Sequence, residues 1–300
     1  MDASEVQLAK AGQVNCRNYR RLGFERLTRG IYGKLTLPTG DEFEVRRARF
    51  LQHVRGVMAV YGAAGAVLYG PTALQVLGVA LPESLQDWDN CHLTVPGPSR
   101  PQRDGVVSHR SSQVKVWRMV DGLPVMHPVD HWTQLVGATS DELVEVGDGL
   151  VRRKRPLLKL SEVKQRLGEL TGVPGVRAVR QALRRVVPGT DSLYETRVRL
   201  ILVRAGLPVP SVNLEVEVPS VGRLYHLDMA YEKERIGVEF DGLVHVQNQA
   251  QMRLDAARRR DLQDAGWVIV TITADQLRNP QQFIGPIRRA LVFQGWYGWP

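Results

Sequence analysis

A chain of 300 residues with 43% hydrophobic content is long enough to bury two cores. Its net charge of +9 favours an anionic partner, nucleic acid first. Two cysteines, Cys16 and Cys91, exclude a disulfide framework and a cysteine-built zinc site. No run is long and apolar enough to span a bilayer, and the opening MDASEVQLAK lacks the apolar stretch of a signal peptide, so a cytoplasmic protein with no membrane partner is expected.

Residues 1–40 read as a winged-helix-like segment. Short helices are expected at 6–11 and 16–22, and a hairpin or wing at 27–35, LTRGIYGKL. Its basic residues, Arg17, Arg20, Arg21, Arg26, Arg29 and Lys34, either touch phosphates or are solvated surface charges. Residues 42–61 form an amphipathic helix with Phe43, Ala48, Leu51, Val54, Val57 and Met58 on one face. Gly70-Pro71 opens a second helix to about residue 79. Strands follow at 91–95 and 106–109, joined by the Pro- and Arg-rich stretch PGPSRPQR, read as a turn. Residues 117–120 and 123–126 pair around Asp121-Gly122, a strong hairpin signal. His92, His109, His127 and His131 are scattered over different elements without metal-ligand spacing and read as structural.

Helices are expected at 141–150, 160–170 and 176–186. Between the first two lies Arg152-Arg153-Lys154-Arg155, a like-charge run that is either solvated or laid along a phosphate backbone. Pro188-Gly189-Thr190 marks a boundary. The expected division is 1–40, winged-helix-like; 41–188, α+β; and 189–300, an α/β domain carrying the chemistry.

That last domain opens with Ser192-Leu193-Tyr194-Glu195, a capping box in which Glu195 reaches back to the first amides of a helix running to Ala205. Residues 225–231 and 235–241 alternate as strands around a short polar turn. Strict alternation puts Tyr225, Leu227, Met229 and Tyr231 on one face of the first strand and Asp228 on the other. It likewise separates Ile236, Val238 and Phe240 from Glu239 and Asp241. Paired on their apolar faces, the strands bring Asp228, Glu239 and Asp241 together. Clustered carboxylates repel unless a cation sits among them. Mg²⁺ (or Mn²⁺) takes such oxygens together with water and substrate phosphate, and activates water against a phosphodiester. The Gly- and Pro-free stretch 250–265 is a helix ended by Gly266, with Arg253, Arg258, Arg259 and Arg260 as candidate phosphate contacts. WVIVTIT, 267–273, reads as a buried strand. Trp296, Tyr297 and Trp299 in the tail are expected to pack back on the domain.

The order Asp-x(10)-Glu-x-Asp-Gly, then His245, then RRRDLQDAGW and WVIVTIT, resembles the very-short-patch-repair-like endonucleases of the PD-(D/E)XK superfamily, in their actinobacterial branch. The resemblance covers about residues 192–291. It implies a restriction-endonuclease-like mixed sheet flanked by helices and Mg²⁺-dependent hydrolysis of DNA in repair or defence. It also implies metal ligation by Asp228 and Glu239, with Glu195 joining the site from the preceding helix and His245 and Asp255 nearby. The superfamily's motif Lys is replaced here by Asp241, a position where the repair branch carries His. His245 and Arg258 are the candidates for that Lys's role in steadying charge and water; without one of them the chemistry is weak or absent. The stretches RGIYGKL, AVLYGPTALQVLGV, HLTVPG, VVSHR and GLPVMHPVDHWTQLV resemble the N-terminal half of AbiEi-type antitoxin relatives. That implies a winged helix before an α/β region and binding of DNA or of a protein partner. The alternative reading is a non-catalytic DNA-binding transcriptional regulator with a degenerate nuclease fold.

Overall fold

A computed structural model describes residues 7–8, 14–28, 30–34, 37–39, 41–96, 103–110, 114–242 and 249–298. The chain divides into two compact units, residues 1–139 with 163–181, and residues 140–162 with 182–300. The boundary expected at 188–189 therefore falls inside the second unit.

In the first unit, β1 (Gln7–Leu8), β2 (Glu25–Thr28) and β3 (Ile31–Lys34) form a small sheet in the order β1-β3-β2. The β2–β3 pair is the expected hairpin. Residues 16–22 form turns instead of the expected helix. The Asn15 side chain accepts the Arg17 N–H and Asn18 accepts the Asn15 N–H, as in a helix cap, but the backbone bonds that follow, Tyr19 to Asn15 and Leu22 to Asn18, are not consecutive and build only turns. The helix expected at 6–11 lies largely outside the described residues, and Gln7–Leu8 is strand.

Helix α1 (Glu42–Tyr61) is capped by Asp41, whose carboxylate accepts the Glu44 N–H at 2.8 Å. It buries Phe50, Val54, Val57 and Met58, while Phe43 is 57% exposed and meets Trp88 edge-on instead of entering the core. Against it lies a five-stranded sheet in the order β6-β5-β4-β8-β7. Its strands are β4 (Val67–Leu68), β5 (Cys91–Thr94), β6 (Val106–His109), β7 (Arg118–Val120) and β8 (Leu123–Val125). Asp121 and Gly122 have φ of 48° and 77°, the pair of left-handed residues that a type I′ hairpin needs. β5 and β6 run parallel, and residues 97–102 of the stretch read as a turn between them lie outside the described residues. Helices α2 (Gly70–Val76) and α3 (Pro128–Thr133) complete this part.

Helix α4 (Ser140–Leu150) belongs to the second unit and is followed in the chain by α5 (Leu160–Glu169), α6 (Val176–Leu183) and α7 (Leu193–Arg204). Then come β9 (Ser211–Val218), β10 (Arg223–Tyr231), β11 (Ile236–Asp241), α8 (Gln249–Asp264), β12 (Val268–Thr273) and α9 (Gln281–Phe293). The sheet order is β12-β11-β10-β9, with β9, β10 and β11 antiparallel and β12 parallel to β11. One face packs on α7 and α9 through Val198, Leu202, Met229, Val238, Phe283 and Ile287. The other packs on α8 through Val216, Leu227, Ala230, Leu262 and Trp267. This α/β architecture, a mixed sheet flanked by helices, is the one expected. β12 is less buried than its composition suggests: it is an edge strand, Val268 is 40% exposed, and within it Ile272 alone is fully buried. Trp296 packs beside the α7–α9 core and Tyr297 is exposed, while Trp299 lies outside the described residues. No helix among the described residues is long and apolar enough to cross a membrane.

Candidate metal and nucleic-acid site

The site is built at the N-terminal turn of α7 and at one point on β10. Ser192 caps α7 by accepting the Glu195 N–H at 3.2 Å. Glu195 reaches back to the Asp191 N–H at 2.9 Å, one residue beyond the usual capping-box partner. Glu195 is nonetheless more than a cap. Its carboxyl is pushed up to about 7, chiefly by burial; the Asp191 N–H works against that, and the negative charge of Asp228 adds to it.

On β10 the alternation of faces slips. Leu227 packs on the α8 side, while Met229 and Tyr231 pack on the α7–α9 side. The ladder to β9 is interrupted at Asp228 with no change of register: Leu227 faces Leu214, Met229 faces Val212, and between those partners Asn213 has φ of 50°. Pairing with β11 begins only at Met229. Asp228 therefore stands at a kink and accepts the Phe240 N–H at 2.9 Å. Burial raises its carboxyl above the usual range; the Phe240 N–H opposes this, and the negative charges of Glu239 and Asp191 raise it further. Tyr194 of α7 stacks on Phe240 at 4.9 Å, holding the helix turn against this part of the sheet.

Of the three acids expected together, Asp228 feels the charge of Glu239, which raises its carboxyl, and that of Arg258, which lowers it. Glu239 follows the alternation to the α8 side, where Arg258 takes its carboxylate in an ion pair. Arg258 also donates to the His226 carbonyl at 2.6 Å and lies over the Tyr225 ring. Asp228, displaced by the kink, lies within electrostatic reach of Glu195 and Asp191. Asp241 ends β11 opposite Thr273, half-buried. His245 lies outside the described residues. On α8, Arg253, Asp255, Arg259 and Arg260 are exposed, and Arg259 donates to the Thr271 hydroxyl at 3.2 Å.

Two further groups belong here. Asp191 is held by Arg153 and Lys154, from the basic run before α5. The guanidinium of Arg153 is raised above its usual value by Asp191 first, then by the charges of Glu195 and Asp228. The run Arg152-Arg153-Lys154-Arg155 thus delivers cations to the acid cluster, although 38 residues separate Arg153 from Asp191. No local signal in the sequence ties them together.

Known proteins add little. No family model matches the chain, and no solved structure matches it. Two relatives from Mycobacterium tuberculosis, one from strain CDC 1551 / Oshkosh and one from strain ATCC 25618 / H37Rv, are each 28% identical over 240 residues. The similarity covers 75% of this chain and 83% of each relative. Both are described only as uncharacterized proteins.

The donors fit a hard divalent cation in kind: they are carboxylate oxygens, and such an ion needs only one or two of them if water and phosphate supply the rest. They are not a preassembled cage. Among the described residues, no group of three or more His, Cys, Asp or Glu side chains is gathered in metal-holding geometry.

Proposed function

We propose that the second unit is a divalent-metal-dependent phosphodiesterase acting on nucleic acid, with DNA as the expected substrate. One observation carries this reading. Glu195 is buried and Asp228 half-buried on different elements; the charge of Asp228 raises the proton affinity of Glu195, and the charge of Glu239 raises that of Asp228. Like charges held in this way are stabilised by a cation between them. Asp228 and Glu195 would hold Mg²⁺ or Mn²⁺, with Glu239 joining when Arg258 releases it. When bound, the ion supplies an activated water and neutralises phosphate charge. Arg258 turns from Glu239 to the substrate's phosphate, and Arg253, Arg259 and Arg260 steady the strand from the exposed side of α8. Arg153 and Lys154 keep Asp191 ionised and turned away from the reacting phosphate.

A second reading, a DNA-binding regulator without catalysis, is favoured by the Arg258–Glu239 ion pair, which fills with protein the place where a second metal ligand would act. Supercoiled plasmid separates the two. The nuclease reading expects nicking with Mg²⁺ or Mn²⁺ that is abolished by chelation and lowered by about 100-fold or more in Asp228→Ala. A band shift with no nicking under any metal condition would overturn it in favour of the regulator.

A further inference from the structure

The first unit holds a cavity of about 550 Å³, distant in sequence from the acids of the second unit and lined by Tyr69, Arg110, Lys115, Asp130, Gln134 and Arg166 among others. Its volume is within the range typical of small-molecule sites.

The polar lining is arranged asymmetrically. Arg166 is committed: it holds both oxygens of Asp130 at 2.9 Å and also Glu169 at 2.8 Å. Asp130 is therefore neutralised within the wall. Arg110 and Lys115 are exposed at the cavity, and neither has a carboxylate partner among the described residues. Two positive charges are left for whatever enters. Tyr69 has one ring face stacked on His109, with centroids 4.1 Å apart and planes 8° from parallel. His109 is itself hydrogen-bonded to His92 at 3.0 Å, and His92 to Asp87 at 2.9 Å. The ring is thus braced from behind, and burial raises its phenol above the usual value.

Gln134 is fixed in orientation. The Met126 N–H donates to His131 Nε2 at 3.1 Å, so His131 Nδ1 carries the hydrogen and donates to Gln134 Oε1 at 3.1 Å. Gly70 N–H donates to the same oxygen at 2.9 Å. The amide oxygen is filled, and the amide nitrogen is the group that remains to donate to a ligand. Next to the lining residue Pro174, Gly175 has φ of 80°, and a Cβ there would lie 2.0 Å from the carbonyl oxygen of Thr133, itself a lining residue.

We infer that this cavity binds a phosphate monoester carrying a planar base, with Arg110 and Lys115 on the phosphate, the free face of Tyr69 under the base and Gln134 reading its edge. The same chemistry is offered by a free mononucleotide and by the 5′-phosphorylated end of a strand. The inference does not depend on the function proposed for the second unit.

Calorimetry on the full chain, in chelator so that no metal contributes, tests it with AMP, adenosine, inorganic phosphate and the dinucleotides pTpT and TpT. AMP or pTpT is expected to bind, and whichever binds tighter identifies the source. Adenosine and TpT should bind about tenfold or more weakly, because charge-assisted contacts are lost. Arg110→Gln with Lys115→Gln should weaken binding by about tenfold or more, and Tyr69→Leu by about fivefold or more. The two rim positions are exposed, so their variant keeps the fold even if Tyr69→Leu does not. Absence of binding by both AMP and pTpT, binding unchanged in the double rim variant, or inorganic phosphate matching AMP would each overturn the inference.

Discussion

Glu195 shows how one carboxylate serves folding and chemistry together. Its bond to the Asp191 N–H anchors α7, while its burial beside Asp228 keeps its proton to about pH 7. A carboxyl raised in the folded state binds its proton there more tightly than in the unfolded chain. Its stabilising contribution is therefore complete below about pH 4.5 and is lost as pH rises through about 7. In chelator, Glu195→Gln should flatten the fall in stability across that window, by at most about 3 kcal/mol, measured by denaturant unfolding at several pH values. A parallel pH profile in parent and variant would show that Glu195 is not held protonated. Arg258 is the other decisive residue. Because it neutralises Glu239, Arg258→Gln should raise affinity for Mn²⁺ in the absence of DNA and lower affinity for DNA severalfold. Unchanged affinity for both would remove Arg258 from the site.

Helix α4 is bound to α7 by a buried ion pair. Asp148 is fully buried and accepts from Arg199 at 2.7 Å, from the Thr196 hydroxyl at 2.8 Å and from the Val187 N–H at 2.8 Å. Asp148→Ala leaves Arg199 without its counter-charge and should cost about 3–5 kcal/mol in denaturant unfolding. A loss under 1 kcal/mol would show that Arg199 finds another partner. In the first unit, Gly175→Ala meets both a backbone oxygen and a left-handed φ, and should cost about 3 kcal/mol or more, read as a lowered Tm. Most element boundaries were legible because they are local. Ser192 marks a helix start, Gly206 and Gly266 follow helix ends, and Asp121-Gly122 closes a hairpin. The site was legible only in part. Asp228, Glu239 and Glu195 stand out in the sequence, but a strand read by alternation alone cannot reveal the change of face opposite Asn213, beside which the charge of Asp228 acts on Glu195 while that of Glu239 acts on Asp228. The pairing of Arg153 with Asp191 and the stack of Tyr69, His109 and His92 are also products of tertiary packing. Scattered histidines gave no sign of the latter.

Across the whole chain, 40 Lys and Arg residues outnumber 31 Asp and Glu. Such an excess acts on a polyanion through counterion release, so binding to DNA should weaken steeply with salt. The acid cluster is the exception within this basic chain, and it is where a cation is required before a phosphate can approach. Electron paramagnetic resonance of Mn²⁺ titrated into the full chain tests that requirement most directly. The account predicts a bound ion in the parent, tighter with a non-cleavable oligonucleotide present and lost in Asp228→Asn with Glu195→Gln. An Mn²⁺ signal indistinguishable between parent and double variant, with and without the oligonucleotide, would contradict it.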